Sequence, residues 1–287
     1  MLRIRTSELY LRCAFTYVMA KGTICIIGCP ILEDEVVYSI CSEKDAKNVY
    51  LIDNEPAATL RKKLDRNGVD YILVDEWEFE KGFVEFDNNE FNIVVLMNKL
   101  GLHSRPEFLR STIEDQLRTY QNRFGSIALY YGMCGNACWD ISKWASSSLK
   151  IPVFVFRDRN EDVCDDCIGV AVGGHLNYYS FVKKHPGMLY VTPAIAGNWD
   201  EFSKELDMTK GFDIMDIHTL KGVFELFGYK NAVKIDTGIG IQGEELEKGC
   251  RNLSEQTGLE FLTAPSGTAD MYPTERIYRD AKNALER

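Results

Sequence analysis

The sequence lacks the features that mark several large classes of protein. No apolar run approaches the roughly 18 residues of a membrane-spanning helix, so no membrane span is predicted. Basic residues are in deficit: 33 Lys and Arg stand against 43 Asp and Glu, and the formal net charge is -10. Nucleic acids and anionic membrane surfaces both select clustered cations, so neither is expected as a partner. No low-complexity segment or solenoid repeat divides the chain.

Cysteine is too scarce for a disulfide-stabilised scaffold, because 287 residues contain only nine, an odd number. In a reducing compartment, such a count indicates metal or redox chemistry at a subset of positions. Residues 1–12 are mildly basic and residues 13–20 apolar, but this apolar part is short for a signal peptide and Lys21-Gly22 is a poor cleavage site. We therefore expect an N-terminal extension over residues 1–22, as an additional helix or an upstream start, and a cytoplasmic protein.

Short apolar runs alternate with amphipathic helical patterns from residue 23 onward. Strands are predicted at residues 23–27, 48–52, 71–74, 92–97, 127–131, 151–156, 188–192, 232–236 and 259–262. Continuous apolar runs separated by helices are typical of a parallel sheet that is covered on both faces. The sequence thus predicts a single α/β domain over residues 23–287, with a mainly parallel sheet, helices on both faces and Rossmann-like units.

Ligand sites in such sheets lie outside the carboxyl ends of the strands. Six places follow predicted strands, and three of them carry cysteine and one histidine: Cys29, Asp53, His103, Cys134, the Cys164–Cys167 pair and Asp236-Thr237. The other cysteines fall inside predicted elements, where packing is expected: Cys13, Cys25, Cys41, Cys138 and Cys250. This partition predicts a thiol site at one edge of the sheet.

Gly132 and Gly135 bracket Cys134 between a predicted strand and a helical stretch from about Cys138 to Leu149. Glycines let backbone N–H groups approach a bound group, and a helix N-terminus stabilises a thiolate. The alternative is a small buried cysteine in a tight turn.

Cys164 and Cys167 stand in an acidic loop that contains Asp162, Asp165 and Asp166. These carboxylates oppose thiol–disulfide exchange, which needs a lowered thiol pKa, but they help to neutralise a bound cation. Metal ligation therefore fits better, with a solvated acidic loop and incidental cysteines as the alternative. Thiolates with at most one imidazole, from His103, suit zinc or an iron–sulfur cluster.

Residues 238–243 match the dinucleotide-binding pattern G-x-G-x-x-G after a predicted strand. Too little chain follows for a mononucleotide-binding half, however, and the carboxylate of Asp236 would repel a pyrophosphate. A turn that packs helix on strand is the preferred interpretation, and no NAD is expected.

Several motifs recur together in one family: Leu102-His-Ser-Arg-Pro-Glu107, Tyr131-Gly-Met-Cys-Gly-Asn136, Asp166-Cys-Ile168, Pro186-Gly187, Tyr190-Val-Thr-Pro193, Trp199, Gly228-Tyr229 and Ile235-Asp-Thr-Gly238. Over residues 23 to 270 the chain resembles the prokaryotic family catalogued as domain of unknown function sixteen-thirty-eight, common in methanogens and anaerobes. The resemblance implies proximity to genes of corrinoid-dependent methyl transfer. It also implies conserved use of cysteines that match Cys29, Cys134 and Cys167.

The chain departs from that family at two places. It has Asp165-Asp166-Cys167 where the family tends to have His-Asp-Cys, and Asn198 is inserted before the usual Gly-Trp pair. The first departure puts the acid/base role of that family histidine in doubt, and Cys164 is a candidate substitute.

Together these observations predict a cysteine-ligated metal-binding protein of anaerobic one-carbon or corrinoid methyl metabolism, acting on a small molecule or a corrinoid protein. An iron–sulfur cluster is preferred over zinc, because the ligands come from distant segments and the glycines leave space. The enzyme classes considered are a metal-dependent methyltransferase and an iron–sulfur lyase or redox accessory enzyme; the alternative is a non-catalytic binding module. The expected ligands are Cys29, Cys134, Cys167 and Cys164, with His103 and Asn136 as catalytic residues and Gly132, Gly135 and Thr237 as cofactor contacts.

Overall fold

The computed structural model describes residues 20–132, 139–212 and 216–286. Its strands are β1 (Gly22–Gly28), β2 (Asn48–Asp53), β3 (Ile72–Asp75), β4 (Phe91–Met97), β5 (Ser126–Tyr130), β6 (Val153–Val155), β7 (Met188–Val191), β8 (Asn231–Lys234) and β9 (Glu260–Thr263). Its helices are α1 (Glu33–Ser42), α2 (Ala58–Arg66), α3 (Glu76–Glu80), α4 (Pro106–Tyr120), α5 (Ile141–Ser148), α6 (Cys167–Ala171), α7 (His175–Lys184), α8 (Pro193–Gly197), α9 (Trp199–Phe202), α10 (Ile217–Leu226), α11 (Gly243–Thr257) and α12 (Tyr272–Asn283). Short 3-10 turns lie at Pro30–Leu32, Glu55–Ala57, Leu102–Ser104, Ser203–Glu205, Asp207–Thr209 and Ala284–Glu286.

The described strands form two parallel sheets. The larger one has six strands in the order β3-β2-β4-β1-β5-β6, and the smaller one has three in the order β7-β8-β9. Every strand pair in both sheets is parallel. The predicted α/β class with a parallel sheet is thereby confirmed. The division of the strands into two sheets is a finding that the pattern of apolar runs does not reveal.

The central strands of the larger sheet are continuously apolar because both faces of the sheet are covered. In β1, the side chains of residues 24–27 are wholly buried, and they alternate between the cores on the two faces of the sheet. A third core fills the smaller sheet and its helices, and Ile31 and Ile168, which precede the first strand of that sheet, also belong to it. The segments after β1 and around α6 therefore lie where the two sheets adjoin.

Most predicted boundaries are displaced by one or two residues, and the differences at the start of α5 and in the length of β6 are larger. The helix predicted from about Cys138 begins at Ile141, because the Asp140 carboxylate accepts the N–H of Lys143 at 3.0 Å and caps the helix there. Cys138 itself lies outside the described residues. The strand predicted over residues 151–156 is only Val153–Val155.

Among the helices of the described ranges, none combines the length and the apolar composition that crossing a membrane requires.

Candidate functional site

The carboxyl ends of β1 and β5 lie side by side. Gly28 is paired with Tyr130, and the N–H of Cys29 donates to the carbonyl of Tyr130 at 3.0 Å. The chain leaves β1 toward β2 on one side and leaves β5 toward β6 on the other. Neighbouring strands with divergent connections form the crevice in which doubly wound sheets bind ligands. Cys29 stands at this crevice, as the sequence predicts.

Gly132 brings the loop before α6 to the end of β5. A Cβ on Gly132 would lie 2.6 Å from the Cα of Asp166 and 2.6 Å from the amide nitrogen of Cys167. No side chain fits at such a separation, so only glycine allows the two backbone segments to touch. Cys167, the first residue of α6, is therefore held against the segment that follows β5. Cys29 and Cys167 are both half-buried, and both pack against the core of the smaller sheet.

Asp166 shapes the loop that carries Cys167. Its carboxylate accepts the N–H of Gly169 at 2.6 Å and caps α6. Burial raises the pKa of Asp166, and the neighbouring Asp165 raises it further, against the hydrogen bond from Gly169. The cysteine thus stands beside a desolvated carboxyl group.

Tyr131 adds a polar group next to Cys29. The side chain is buried, and its hydroxyl has no hydrogen-bond partner of good geometry among the described residues. Burial raises the pKa of Tyr131, and the Cys29 thiol adds to this, while the nearby Asn98 amide opposes it. The Asn98 amide is held by two hydrogen bonds with Gln116, at 2.9 and 2.7 Å. Tyr131 therefore supplies a neutral hydroxyl that lies near Asn98 and forms no hydrogen bond of good geometry with any residue the structure describes.

His175 and Tyr178, at the start of α7, approach the same loop from the smaller sheet's side. Burial raises the pKa of Tyr178, and the charges of Asp166 and Cys167 contribute. The charge of the His175 imidazole offsets a small part of the rise in the pKa of Asp166 that burial causes. The Nδ1 atom of His175 is buried and has no partner in the described part of the chain.

Cys164 is placed differently from its neighbour Cys167. Its side chain is fully buried in the core that also holds Tyr130 and Phe156, and its N–H donates to the carbonyl of Phe156 at 3.0 Å. Burial raises the pKa of Cys164 to about 12, and Asp158 and Asp166 act in the same direction. This environment suits a packed, protonated thiol better than a metal ligand.

The remaining predicted residues lie at several places. His103 is in the 3-10 turn Leu102–Ser104 after β4. The hydroxyl of Thr237 donates to the carbonyl of Ile239 at 3.3 Å and so closes the turn after β8. Cys134, Gly135 and Asn136 lie outside the described residues. Within the described ranges, no three His, Cys, Asp or Glu side chains are grouped so as to hold a metal ion. The predicted ligand set therefore depends on Cys134.

Sequence reasoning missed Asn98 and Tyr131, although both directly follow strands and so satisfy the rule that selected Cys29. Neither an amide nor a phenol is a typical ligand of zinc or iron–sulfur clusters, so the pattern of thiols does not indicate them. No local signal marks His175, because its approach to Asp166 depends on the packing of α6 against α7.

Fold and site together define an α/β protein with a cysteine-bearing crevice at the carboxyl ends of parallel strands. Residues 97–272 match the family described as "Protein of unknown function (DUF1638)". Because the match covers more than half of the chain, the chain belongs to that family. The matched segment includes Gly132 and Cys167 and begins after Cys29. No curated protein and no solved structure matches the chain.

Proposed function

We propose that the protein binds an iron–sulfur cluster or a zinc ion through Cys29, Cys134 and Cys167. The observation that carries this proposal is the contact of the Gly132 backbone with that of Cys167. Cys29 follows the adjacent strand. Cys134 is two residues from Gly132, so covalent connectivity alone limits its distance from Gly132 to about 7 Å along the chain.

The charges near Cys167 support a cationic ligand. Asp165 and Asp166 are adjacent in sequence, and carboxylates disfavour a thiolate unless a metal ion reverses the balance. Thiolate donors select zinc or iron–sulfur clusters over magnesium or calcium. Three ligands from three separate chain segments favour the cluster, because structural zinc usually draws on close cysteine pairs. The burial of Cys164 weakens the one close pair that this sequence offers.

The protein's own groups would act beside the bound metal. A metal site with an open position supplies Lewis-acid or electron-transfer chemistry. The Tyr131 hydroxyl and the His175 Nδ1 atom, for which the described ranges offer no hydrogen-bond partner of good geometry, are available to donate to or accept from a substrate oxygen. The family resemblance supports a role in anaerobic one-carbon or corrinoid methyl metabolism in the cytoplasm, with a small molecule or a corrinoid protein as partner.

Metal analysis of protein purified without oxygen tests the proposal. We expect iron and sulfide with a broad visible absorption band that dithionite or air bleaches; a colourless protein with one equivalent of zinc would instead identify the zinc form. Cys29→Ser, Cys134→Ser and Cys167→Ser should each release most of the metal. Cys250→Ser is the matched control, since Cys250 is buried in the core of the smaller sheet. Equal retention in all four variants would remove the shared site, and metal-free wild type would favour the non-catalytic binding module.

A further inference from the structure

β3 is an edge strand with the composition of an interior strand. It has β2 on one side, and no described strand pairs with its other side. Its first three residues are Ile-Leu-Val, and its one charged residue, Asp75, stands at the end of the strand, where it accepts the N–H of Glu78 and caps α3. Natural edge strands normally carry charged residues or proline along their length, which prevents pairing with other chains. The outer N–H and C=O groups of β3 pair with no described strand and can therefore form hydrogen bonds with a further strand.

Apolar side chains surround this open edge. Ile72 is 50% exposed and Leu73 is 38% exposed, and they point to opposite faces of the sheet. Trp77 and Phe83, in and just after α3, are 57% and 67% exposed, and their rings meet edge to face at 5.4 Å. Four large apolar side chains are thus exposed within twelve residues of the chain. Exposure concentrated in this way is typical of interaction surfaces.

The same segment carries most of the protein's net negative charge. Residues 70–90 contain eight carboxylates against the single cation Lys81, in a chain whose formal net charge is -10. All eight are exposed, and none forms a salt bridge with a described residue: Asp70, Asp75, Glu76, Glu78, Glu80, Glu85, Asp87 and Glu90. Charge of one sign around an apolar centre selects a partner of the opposite sign. A second copy of this chain would bring two acidic surfaces together and is disfavoured.

We infer that β3 and α3 form a docking surface for an extended, lysine- or arginine-rich segment of a partner protein. The segment adds a strand to the outer edge of β3 by main-chain hydrogen bonds. Its apolar side chains contact Ile72, Leu73 and the Trp77–Phe83 pair, and its basic side chains face the surrounding carboxylates. This surface goes beyond the proposed metal site, and its test does not depend on metal content.

The probe is a blocked octapeptide of alternating lysine and valine, with an alternating glutamate–valine octapeptide as the control. We expect calorimetry with the full chain to show saturable binding of the basic peptide at low ionic strength, weakening as salt approaches about 0.15 M. Hydrogen exchange should slow at residues 72–75 on binding, because a new strand protects the outer amides. The glutamate–valine peptide should not bind.

Variants locate the binding. Phe83→Ser should lower the affinity for the basic peptide about tenfold, as expected for an exposed aromatic anchor. Phe227→Ser is the matched control, since Phe227 is 56% exposed beyond the end of α10. The double variant Glu78→Gln/Glu80→Gln should also weaken binding, whereas Glu244→Gln/Glu255→Gln on α11 should not.

Several outcomes would overturn the inference. Absence of binding, equal binding of both peptides, or binding without protection of residues 72–75 would each do so. A dimer in sedimentation that Trp77→Ser dissociates would show that a second copy covers the edge. Binding seen only after deletion of residues 1–19, which include Arg3, Arg5 and Arg12, would assign the edge to the chain's own N-terminus.

Discussion

Gly132 and Cys167 touch through their backbones, at a separation that leaves no room for a side chain on Gly132: its Cβ would lie 2.6 Å from the Cys167 nitrogen. This contact couples the end of β5 to the start of α6. The position of Cys167, one proposed ligand, therefore depends on the lack of a side chain at Gly132. Gly132 in turn lies two residues before Cys134, another proposed ligand.

Replacing Gly132 by alanine should separate these segments. We expect Gly132→Ala to lower the free energy of unfolding by about 1–3 kcal/mol, the range for overpacked sites, and to reduce metal content. Urea denaturation and metal analysis measure the two effects. Gly222→Ala in α10 is the control, because a Cβ there meets nothing within 4 Å, and helix propensity predicts a gain of up to about 1 kcal/mol. Full stability and full metal content in Gly132→Ala would show that the contact is dispensable.

Glu35, in the first turn of α1, makes stability depend on pH. The residue is 4% exposed, and Oε2 has no partner among the described residues, since Lys63 pairs with Glu33 at 2.8 Å and with Asp34. Burial, aided by the charge of Asp34, raises the pKa of Glu35 from its ordinary value of 4.5 to about 8. Between these values the folded protein holds a proton that the unfolded chain has lost. The contribution of Glu35 to the free energy of unfolding is thus fully present below pH 4.5, and it is lost as the pH rises toward 8.

We expect the free energy of unfolding to fall between pH 5 and pH 8 by up to about 1.4 kcal/mol per unit. Glu35→Gln should flatten most of this slope and raise stability at pH 8, as measured by urea denaturation at several pH values. Burial also raises the pKa of Glu33, so a smaller slope should remain. The exposed Glu244→Gln is the control and should keep the wild-type slope. An unchanged slope in Glu35→Gln would show that Glu35 is ionised in the folded state.

The glycine turn at residues 238–243 should not bind a dinucleotide. A Cβ on Gly240 would overlap the carboxylate of Asp34, so this glycine packs against an acid rather than opening a cradle for phosphate. Titration with NAD(H) should give no saturable signal at micromolar concentration. Gly240→Val should destabilise the fold, because its φ of +79° and the contact with Asp34 both exclude a branched side chain. Tight binding that Gly240→Val abolishes without loss of stability would refute this interpretation.

The sequence alone was enough to predict the fold class and the place of Cys29 at the carboxyl end of a central strand. Runs such as residues 24–27 and 93–97 are apolar throughout because both faces of a central parallel strand are buried, and this composition is local information. Cys29 followed from the rule that sites lie after such strands, and the family resemblance was confirmed by the match over residues 97–272. These features depend only on which residues follow one another in the sequence.

Tertiary structure decided the rest. Cys164 and Cys167 are three residues apart, yet one lies in the core and the other at the crevice, because Phe156 pairs with the first and Gly132 contacts the second. The division into two sheets and the place of β3 at an edge depend on which strands pair, a choice between segments far apart in sequence. The pKa of Glu35 is raised because folding buries its carboxyl group away from water and beside Asp34. Such effects arise from contacts made only on folding, so a linear pattern of residues does not contain them.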